Sequence, residues 1–331
     1  MSKRKLRVAV VGLGKMGLVH AGILNILPDV QVAALCEKSN LIRRFSRKIF
    51  KGIETVDDVE KLSKLNLDIV YVTTPIPSHF SVAKAIFVNE IASNLFIEKT
   101  LAQTYEQSKQ LIELAQSSAG TNMVGYLRRF YVTFNKARDL ILKGTIGKTI
   151  SFKAYAYSSD FLGTEKGTQT FTARGGVLRD LGCHAVDLAS WFFGDLEVSS
   201  VRRVPNDYNP EESFNFTVEN SGAEGEFDVS WCKKDYRLPE VGFSIAGSKG
   251  KLDVNDDEVR LSEDNGGSHL WYRHDLDDNV PFWLALPEYY REDQHFVRSA
   301  MESSKAEPDF QAAAKVDKII DEVEKKAGER D

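Results

Sequence analysis

The chain has 331 residues, 42% hydrophobic and 27% charged, with a formal net charge of −5. That length exceeds what one core usually serves, about 250–300 residues, and suits two domains. The acidic balance argues against nucleic-acid binding, which usually shows a basic face, and no apolar run reaches the roughly 20 residues of a membrane-spanning helix.

Residues 7–11 are an apolar, β-branched run ending in Gly12-Leu13-Gly14-Lys15-Met16-Gly17, and a helical pattern follows over 15–26. This spacing predicts a strand, a tight turn and a helix start. Gly12 permits the turn, Gly14 lets a pyrophosphate approach the backbone, and Gly17 lets the helix pack close to the strand. The free N–H groups and positive dipole end of that helix suit phosphate, and Lys15 and Met16 lie within the turn. A second strand over 30–36 ends at Glu37, twenty residues beyond Gly17. A carboxylate there accepts hydrogen bonds from an adenosine ribose and repels a 2′-phosphate, so NAD is expected in preference to NADP. Lys38 beside it offsets part of that repulsion.

Ser39 is the expected N-cap of a helix to Lys48, and Thr55 is expected to open a short helix over about 55–62. A buried strand over 67–73 ends in Thr73-Thr74-Pro75, and Ser78 is expected to cap a helix from His79 to Asn89. Another strand, 94–97, carries Glu98 and Lys99 at its end. Thr104 caps a helix to Ala119, and 122–125 is a further strand. Strands and helices alternating in this way predict an α/β domain with a doubly wound parallel sheet over residues 1–124. Ligands bind beyond the carboxyl ends of such strands, so Gly12, Glu37, Thr74, Lys99 and Tyr126 are expected on one rim. His20 is expected on a helix surface or between domains. His79 is expected at a helix start near the adenosine ribose.

After a helix over 130–143 the periodicity becomes two. Ile150, Phe152, Ala154 and Ala156 alternate with Ser151, Lys153, Tyr155 and Tyr157, and strands recur near 198–204, 214–218, 227–231, 241–247 and 250–261. An α+β domain with a large, mainly antiparallel sheet is expected over 125–331, half covered by helices and closed by helices near 288–302 and 309–327. The aromatic residues of its outer face point to a homodimer or homotetramer through the sheet. The acidic clusters at 253–257 and 275–278 are expected as solvated turns.

One helical stretch, 175–191, carries Asp180, His184 and Asp187 among apolar residues. Spacings of four and three place them on one face of an α-helix. Neutral imidazole accepts a proton from a hydroxyl, and a carboxylate one turn away orients it. Tyr105 and Lys109 copy a dehydrogenase spacing but sit on a helix without that family's glycine pattern, and 147–149 lacks the earlier glycine of a phosphate loop. No metal is expected, because the remaining histidines have no partners at ligand spacing. Cys36, Cys183 and Cys232 are few and scattered, which points to a reduced, cytoplasmic compartment. The glycine-interrupted start reads as a strand, not a signal peptide.

The glycine turn, Thr74-Pro75 with His79, Glu98-Lys99, Arg128-Arg129-Phe130, and Gly175-Gly176 followed by Asp180, His184 and Asp187 together resemble the glucose–fructose oxidoreductase / inositol dehydrogenase (Gfo/Idh/MocA) family over nearly the whole chain. The resemblance implies a nicotinamide-dependent enzyme acting on a sugar, polyol or cyclitol, with Lys99, Asp180 and His184 as the catalytic set. In it Lys99 polarises the reacting oxygen, His184 exchanges the proton, and Asp180 holds the substrate or the histidine. Tyr126, Arg128, Lys153, Tyr155 and Asp160 are further candidates for substrate hydroxyls. The chain departs from the family in having Thr100 where proline follows Glu-Lys. A cis bond before a non-proline residue costs about 2.5–4 kcal/mol, so a trans bond is expected there. An NAD-dependent glycosidase of the same family and a non-catalytic dinucleotide sensor are the alternatives.

Overall fold

The structure, a computed structural model, describes residues 4–162, 174–203, 213–220, 222–282, 284 and 286–328. The chain divides into two units, one of residues 1–125 and 289–314, the other of 126–288 and 315–331. Residues 289–314, expected in the second domain, therefore belong to the first.

The first unit is built on six parallel strands, β1 (Leu6–Val11), β2 (Val30–Cys36), β3 (Glu54–Val56), β4 (Ile69–Val72), β5 (Asn94–Glu98) and β6 (Asn122–Gly125). Their order is β3-β2-β1-β4-β5-β6. The order reverses between β1 and β4, which opens the crevice where doubly wound sheets bind ligands. The central strands are buried on both faces, as their continuous apolar runs require. The connecting helices are α1 (Lys15–Ile26), α2 (Asn40–Ile49), α3 (Ile76–Val88) and α4 (Tyr105–Ser118). Ser39 and Thr104 cap α2 and α4 as expected, accepting from the Ile42 and Gln107 amides.

Two local expectations change. Helix α3 begins at Ile76, not His79, with Pro77 in its first turn. Proline is tolerated there because its missing N–H would have no intrahelical partner. Thr55 is not helical: it pairs with Leu35 in β3, and a 3₁₀ helix follows over Val59–Lys64 with Asp58 as its cap. Sheet pairing overrides local helix propensity at that point.

The second unit holds eight strands, β7 (Thr149–Tyr157), β8 (Glu197–Arg203), β9 (Ser213–Asn220), β10 (Ala223–Ser230), β11 (Glu240–Gly247), β12 (Gly250–Asn255), β13 (Glu258–Glu263) and β14 (Ser268–Tyr272). Their order is β14-β13-β12-β11-β7-β10-β9-β8, antiparallel except for β7 beside β10. Residue 204, included in the expected strand, lies outside the described residues. The expected strand over 250–261 is a hairpin, turned at Asn255-Asp256-Asp257. Helices α5 (Val132–Leu142) and α6 (Cys183–Phe193) belong to this unit. Phe152 stacks on Phe193 of α6 at 4.4 Å, and Phe216 on Phe227 at 4.5 Å, so the Phe152 face of the sheet is the covered one. Helices α7 (Pro287–Glu302) and α8 (Phe310–Gly328) end the described chain.

Candidate active-site groups

In the first unit the glycine turn has the required geometry. Gly12 has φ of +93°, and a Cβ there would lie 2.8–2.9 Å from Thr74. A Cβ on Gly17 would lie 1.9 Å from the Gly12 carbonyl oxygen, whereas one on Gly14 meets nothing within 4 Å. Two glycines thus serve close packing, and the third faces open space. The Thr73 hydroxyl fixes the turn by donating to the carbonyls of Val11 and Gly12 at 3.1 and 2.7 Å. Helix α1 has Gly14, which carries no side chain, at its N-cap and no acidic residue in its first turn. Its orphan N–H groups are therefore left for an anion. The Thr74 hydroxyl is buried beside the turn without a hydrogen-bond partner among the described residues.

Glu37 follows β2. One carboxylate oxygen accepts the Leu13 amide at 2.8 Å and the other the Ser39 amide at 2.8 Å. A carboxylate offers about four lone-pair sites, so room remains for a ribose diol. Arg43 is spent on the carbonyls of Glu37 and Lys38, at 2.7 and 2.6 Å. Lys15 and Lys38 are exposed, and the Met16 sulfur accepts from the Tyr289 hydroxyl at 3.8 Å. These residues fit a dinucleotide: an open glycine cradle, a free helix N-terminus and an anchored acid at the end of β2.

Lys99, half-buried, follows β5. The Lys99–Thr100 peptide is cis, not trans as expected. Buried partners hold this turn in place of a proline ring. The Thr100 hydroxyl donates to the Ala102 carbonyl at 3.1 Å, and the Thr100 carbonyl accepts from His79 Nδ1 at 2.7 Å. His79 is fully buried, with Nε2 2.7 Å from the Thr74 carbonyl. It joins two loops from inside and does not present a ring to a ribose. Burial pushes its pKa below the ordinary histidine value, although both carbonyls favour the protonated ring. His20, expected on a helix surface or between domains, is fully buried inside the first unit, between Glu98 and Asp293.

In the second unit, His184 is buried, with the Tyr126 ring edge-on to it at 6.2 Å. Tyr126 is fully buried, and its hydroxyl has no hydrogen-bond partner among the described residues. The stretch before α6, Leu178–Gly182, is a π-helical turn. Such widened turns recur at functional sites, and they break the angular step that a straight α-helix would keep between Asp180 and His184. Each of the two acids, Asp180 and Asp187, is paired with an arginine. Arg174 donates to Asp180 at 3.2 Å and to Asp160 at 3.1 Å, which brings those two candidates together. Asp187 is buried in a bidentate pair with Arg129 at 2.7–3.2 Å, a structural role.

Three other substrate candidates are placed elsewhere. Arg128 makes a buried bidentate pair with Asp256 at 3.0 Å, so Asp256 is not in a solvated turn. Asp278, in the second acidic cluster, likewise binds Arg273. Lys153 and Tyr155 stand on the sheet face opposite Phe152, away from α6, because alternate residues of a strand face opposite sides. There Lys153 pairs with Glu226 at 2.9 Å and Tyr155 donates to Glu240 at 2.5 Å. Lys109 is exposed beside Glu106, as a surface pair should be.

Sequence reasoning missed Arg174 and Asp293, and it considered His20 without assigning it a role. The signal for Asp293 was present: it is the acid on a stripe of α7 that otherwise reads Tyr290, Phe296, Val297 and Ala300, all buried.

Comparison with known proteins adds to this geometry. Residues 6–126 match the model of the GFO/IDH/MocA oxidoreductase family, NAD-binding Rossmann fold, and residues 134–253 match the GFO/IDH/MocA C-terminal domain. The chain is 28% identical over 265 residues to scyllo-inositol 2-dehydrogenase (NAD(+)) of Bacillus subtilis, covering 76% of this chain and 74% of that one. It is 25% identical to D-glucoside 3-dehydrogenase of Escherichia coli, covering 84% and 81%. A solved structure of levoglucosan dehydrogenase with NADH and levoglucosan has the same fold, with a TM-score of 0.86 at 19% identity over 99% of this chain and 98% of that one.

Proposed function

We propose, because the chain belongs to the GFO/IDH/MocA family of NAD-binding oxidoreductases, that it moves hydride between NAD and a hydroxyl-bearing carbon of a sugar, polyol or cyclitol. The observation that carries this reading is the open cradle at Gly14, with the uncapped start of α1 and the anchored Glu37, on the strand ends that also carry Lys99. When bound, the nicotinamide supplies the hydride chemistry, and the protein supplies orientation and charge.

The glycine turn, Lys15 and Met16 receive the pyrophosphate, and Glu37 with Lys38 the adenosine ribose. Thr73, Thr74, Pro75 and Glu98 shape the neighbouring strand ends, and His79 positions Thr74 and Thr100 from within. The Lys99 ammonium polarises the reacting oxygen. His184 takes the hydroxyl proton in oxidation and returns it in reduction. Asp180 and Asp160, bridged by Arg174, hold substrate hydroxyls, and the Tyr126 ring packs edge-on against His184 while its hydroxyl is left for substrate. The open sheet face joins subunits into a homodimer or homotetramer. The three free cysteines suit a cytoplasmic setting. Among the described residues no helix is long and apolar enough to cross a membrane.

The test is a screen of cyclitols, aldoses and polyols with NAD and with NADP, followed at the reduced-nicotinamide absorbance, for the parent, Lys99→Ala and His184→Ala. Expected is NAD reduction by the parent, with turnover lowered about 10²–10³-fold in Lys99→Ala by loss of a preorganised charge. The loss in His184→Ala should be about 10²–10⁴-fold, the share of general acid–base catalysis. Dinucleotide binding should persist in both. Turnover of a glycoside without added cofactor would replace this reading by the glycosidase, and dinucleotide binding without turnover of any class by the sensor.

A further inference from the structure

Behind Lys99 lies a buried polar chain that the roles above leave unused. His20, on α1, is enclosed by the rings of Tyr71, Phe96 and Tyr289 at 5.5, 5.1 and 5.8 Å. Its Nδ1 is 2.8 Å from Asp293 Oδ1, and its Nε2 is 3.0 Å from Glu98 Oε1. The second oxygen of Glu98 accepts the backbone amide of Lys99 at 3.1 Å. The chain therefore runs from helix α7 through the imidazole and the Glu98 carboxylate to the main chain of the lysine. All three ionisable side chains are buried. Well-packed apolar side chains often serve stability as well as or better than such a buried ionic set. Its presence is accounted for if it acts on the half-buried residue at its end.

We infer that His20 and Asp293 are positioning residues for Lys99. The imidazole holds the Glu98 carboxylate in the one orientation that leaves Oε2 for the Lys99 amide, and Asp293 holds the imidazole. On the other side of the lysine, His79 grips the Thr100 carbonyl. Two buried rings thus set the backbone from which the lysine side chain departs. Burial by itself would disfavour a charged His20, but the charge of Asp293 and the hydrogen bonds to both carboxylates raise its pKa well above the ordinary value. An imidazolium donates from both nitrogens, which matches a carboxylate oxygen on either side of the ring. Against burial, His20 and Lys99 together hold Glu98 below the usual carboxylate range. The inference rests on the reading of Lys99 as a group that touches substrate.

A double-mutant cycle tests it, with the parent, His20→Gln, Lys99→Ala and the double variant. Misaiming a reacting group by an ångström can cost about 10²-fold, so His20→Gln is expected to lower kcat by about 10–100-fold with the Kd for NADH unchanged. In the Lys99→Ala background the same substitution should cause no further loss, because it acts through the lysine. Asp293→Asn, which keeps an acceptor for Nδ1, should recover most of the rate lost in Asp293→Ala. If His20→Gln does not fold, as NADH titration will report, Asp293→Asn and Asp293→Ala carry the same cycle. Equal losses in both lysine backgrounds overturn the inference and leave a general packing role. A parent-like kcat in His20→Gln beside a large loss in Lys99→Ala overturns the inference alone. A parent-like Lys99→Ala removes the reading of Lys99 and the inference with it.

Discussion

Glu37 shows how one side chain can be legible by type and illegible by state. Its position at the end of β2 follows from the chain alone, but its use of both oxygens on the Leu13 and Ser39 amides does not. Those bonds hold the carboxylate beside the glycine turn before any ligand arrives. Hydrogen bonds to a charged group contribute about 1.5–3 kcal/mol, equivalent to about 10–100-fold in affinity. The parent is therefore expected to favour NAD over NADP in kcat/KM by at least about tenfold, and Glu37→Ser to narrow that ratio with little change in kcat. Parallel kinetics with the two cofactors checks this, and an unchanged ratio in the variant would remove Glu37 from cofactor choice. His79 carries a pH prediction of definite sign. Its folded pKa lies below the unfolded value of about 6.5, so its contribution to stability is complete above that pH and is lost as pH falls through the folded pKa. Thermal unfolding of the parent between pH 8 and pH 5 should show a steeper acid-side fall in Tm than His79→Asn shows. Parallel curves for the two proteins would count against it.

Among the elements, those whose signal is local were the legible ones. The caps Ser39 and Thr104 sit beside the amides they serve, and the buried strands of the first sheet read as continuous apolar runs. Elements decided by distant partners were not. The β3 strand exists because it pairs with β2, and the turn at Asp256 is buried because Arg128 reaches it across 128 positions. The π turn at Leu178–Gly182 is of the same kind: nothing in the spacing of Asp180, His184 and Asp187 separates it from a straight helix, yet it changes the angular step between Asp180 and His184. Asp187, one of the family-like residues, belongs to the support of α6. Breaking a buried ion pair on one side leaves an uncompensated charge and costs about 3–5 kcal/mol. Asp187→Ala should lower the free energy of unfolding by that amount in urea, followed by circular dichroism. Replacing Arg129 and Asp187 together by apolar side chains should return most of it. A loss in Asp187→Ala below about 1 kcal/mol would contradict the structural role.

For the whole molecule, period two in β7 announced that the second sheet has two unlike faces, and the structure shows what each carries. The covered face is packed with Phe152, Phe216, Phe227 and Phe243. The other holds Tyr155 on Glu240, Tyr157 on Asp228, Lys233 on Asp228 at 3.1 Å, and Tyr236 packed against both tyrosines at 6.2 and 5.0 Å. It is hollowed by a cavity of about 410 Å³ lined in part by Tyr155, Tyr157, Asp228, Ser244 and Asn255. Burial and the neighbouring Glu240 already raise the Tyr155 pKa, so this face is partly dehydrated within one chain. Aromatic side chains with satisfied polar ends, on a broad sheet face that no helix among the described residues covers, are the composition expected of a contact between subunits. Ser244, on β11 beside Lys153, lies within that face. A bulky charge there would enter a two-fold interface twice, because the same patch occurs on both sides. Light scattering on the eluting parent should thus give twice or four times the mass of one chain, and Ser244→Arg should shift it toward the single chain while leaving NADH binding intact. A parent that elutes with the mass of one chain at micromolar concentration would leave the open face to some other partner, and an unshifted Ser244→Arg would place the subunit contact elsewhere.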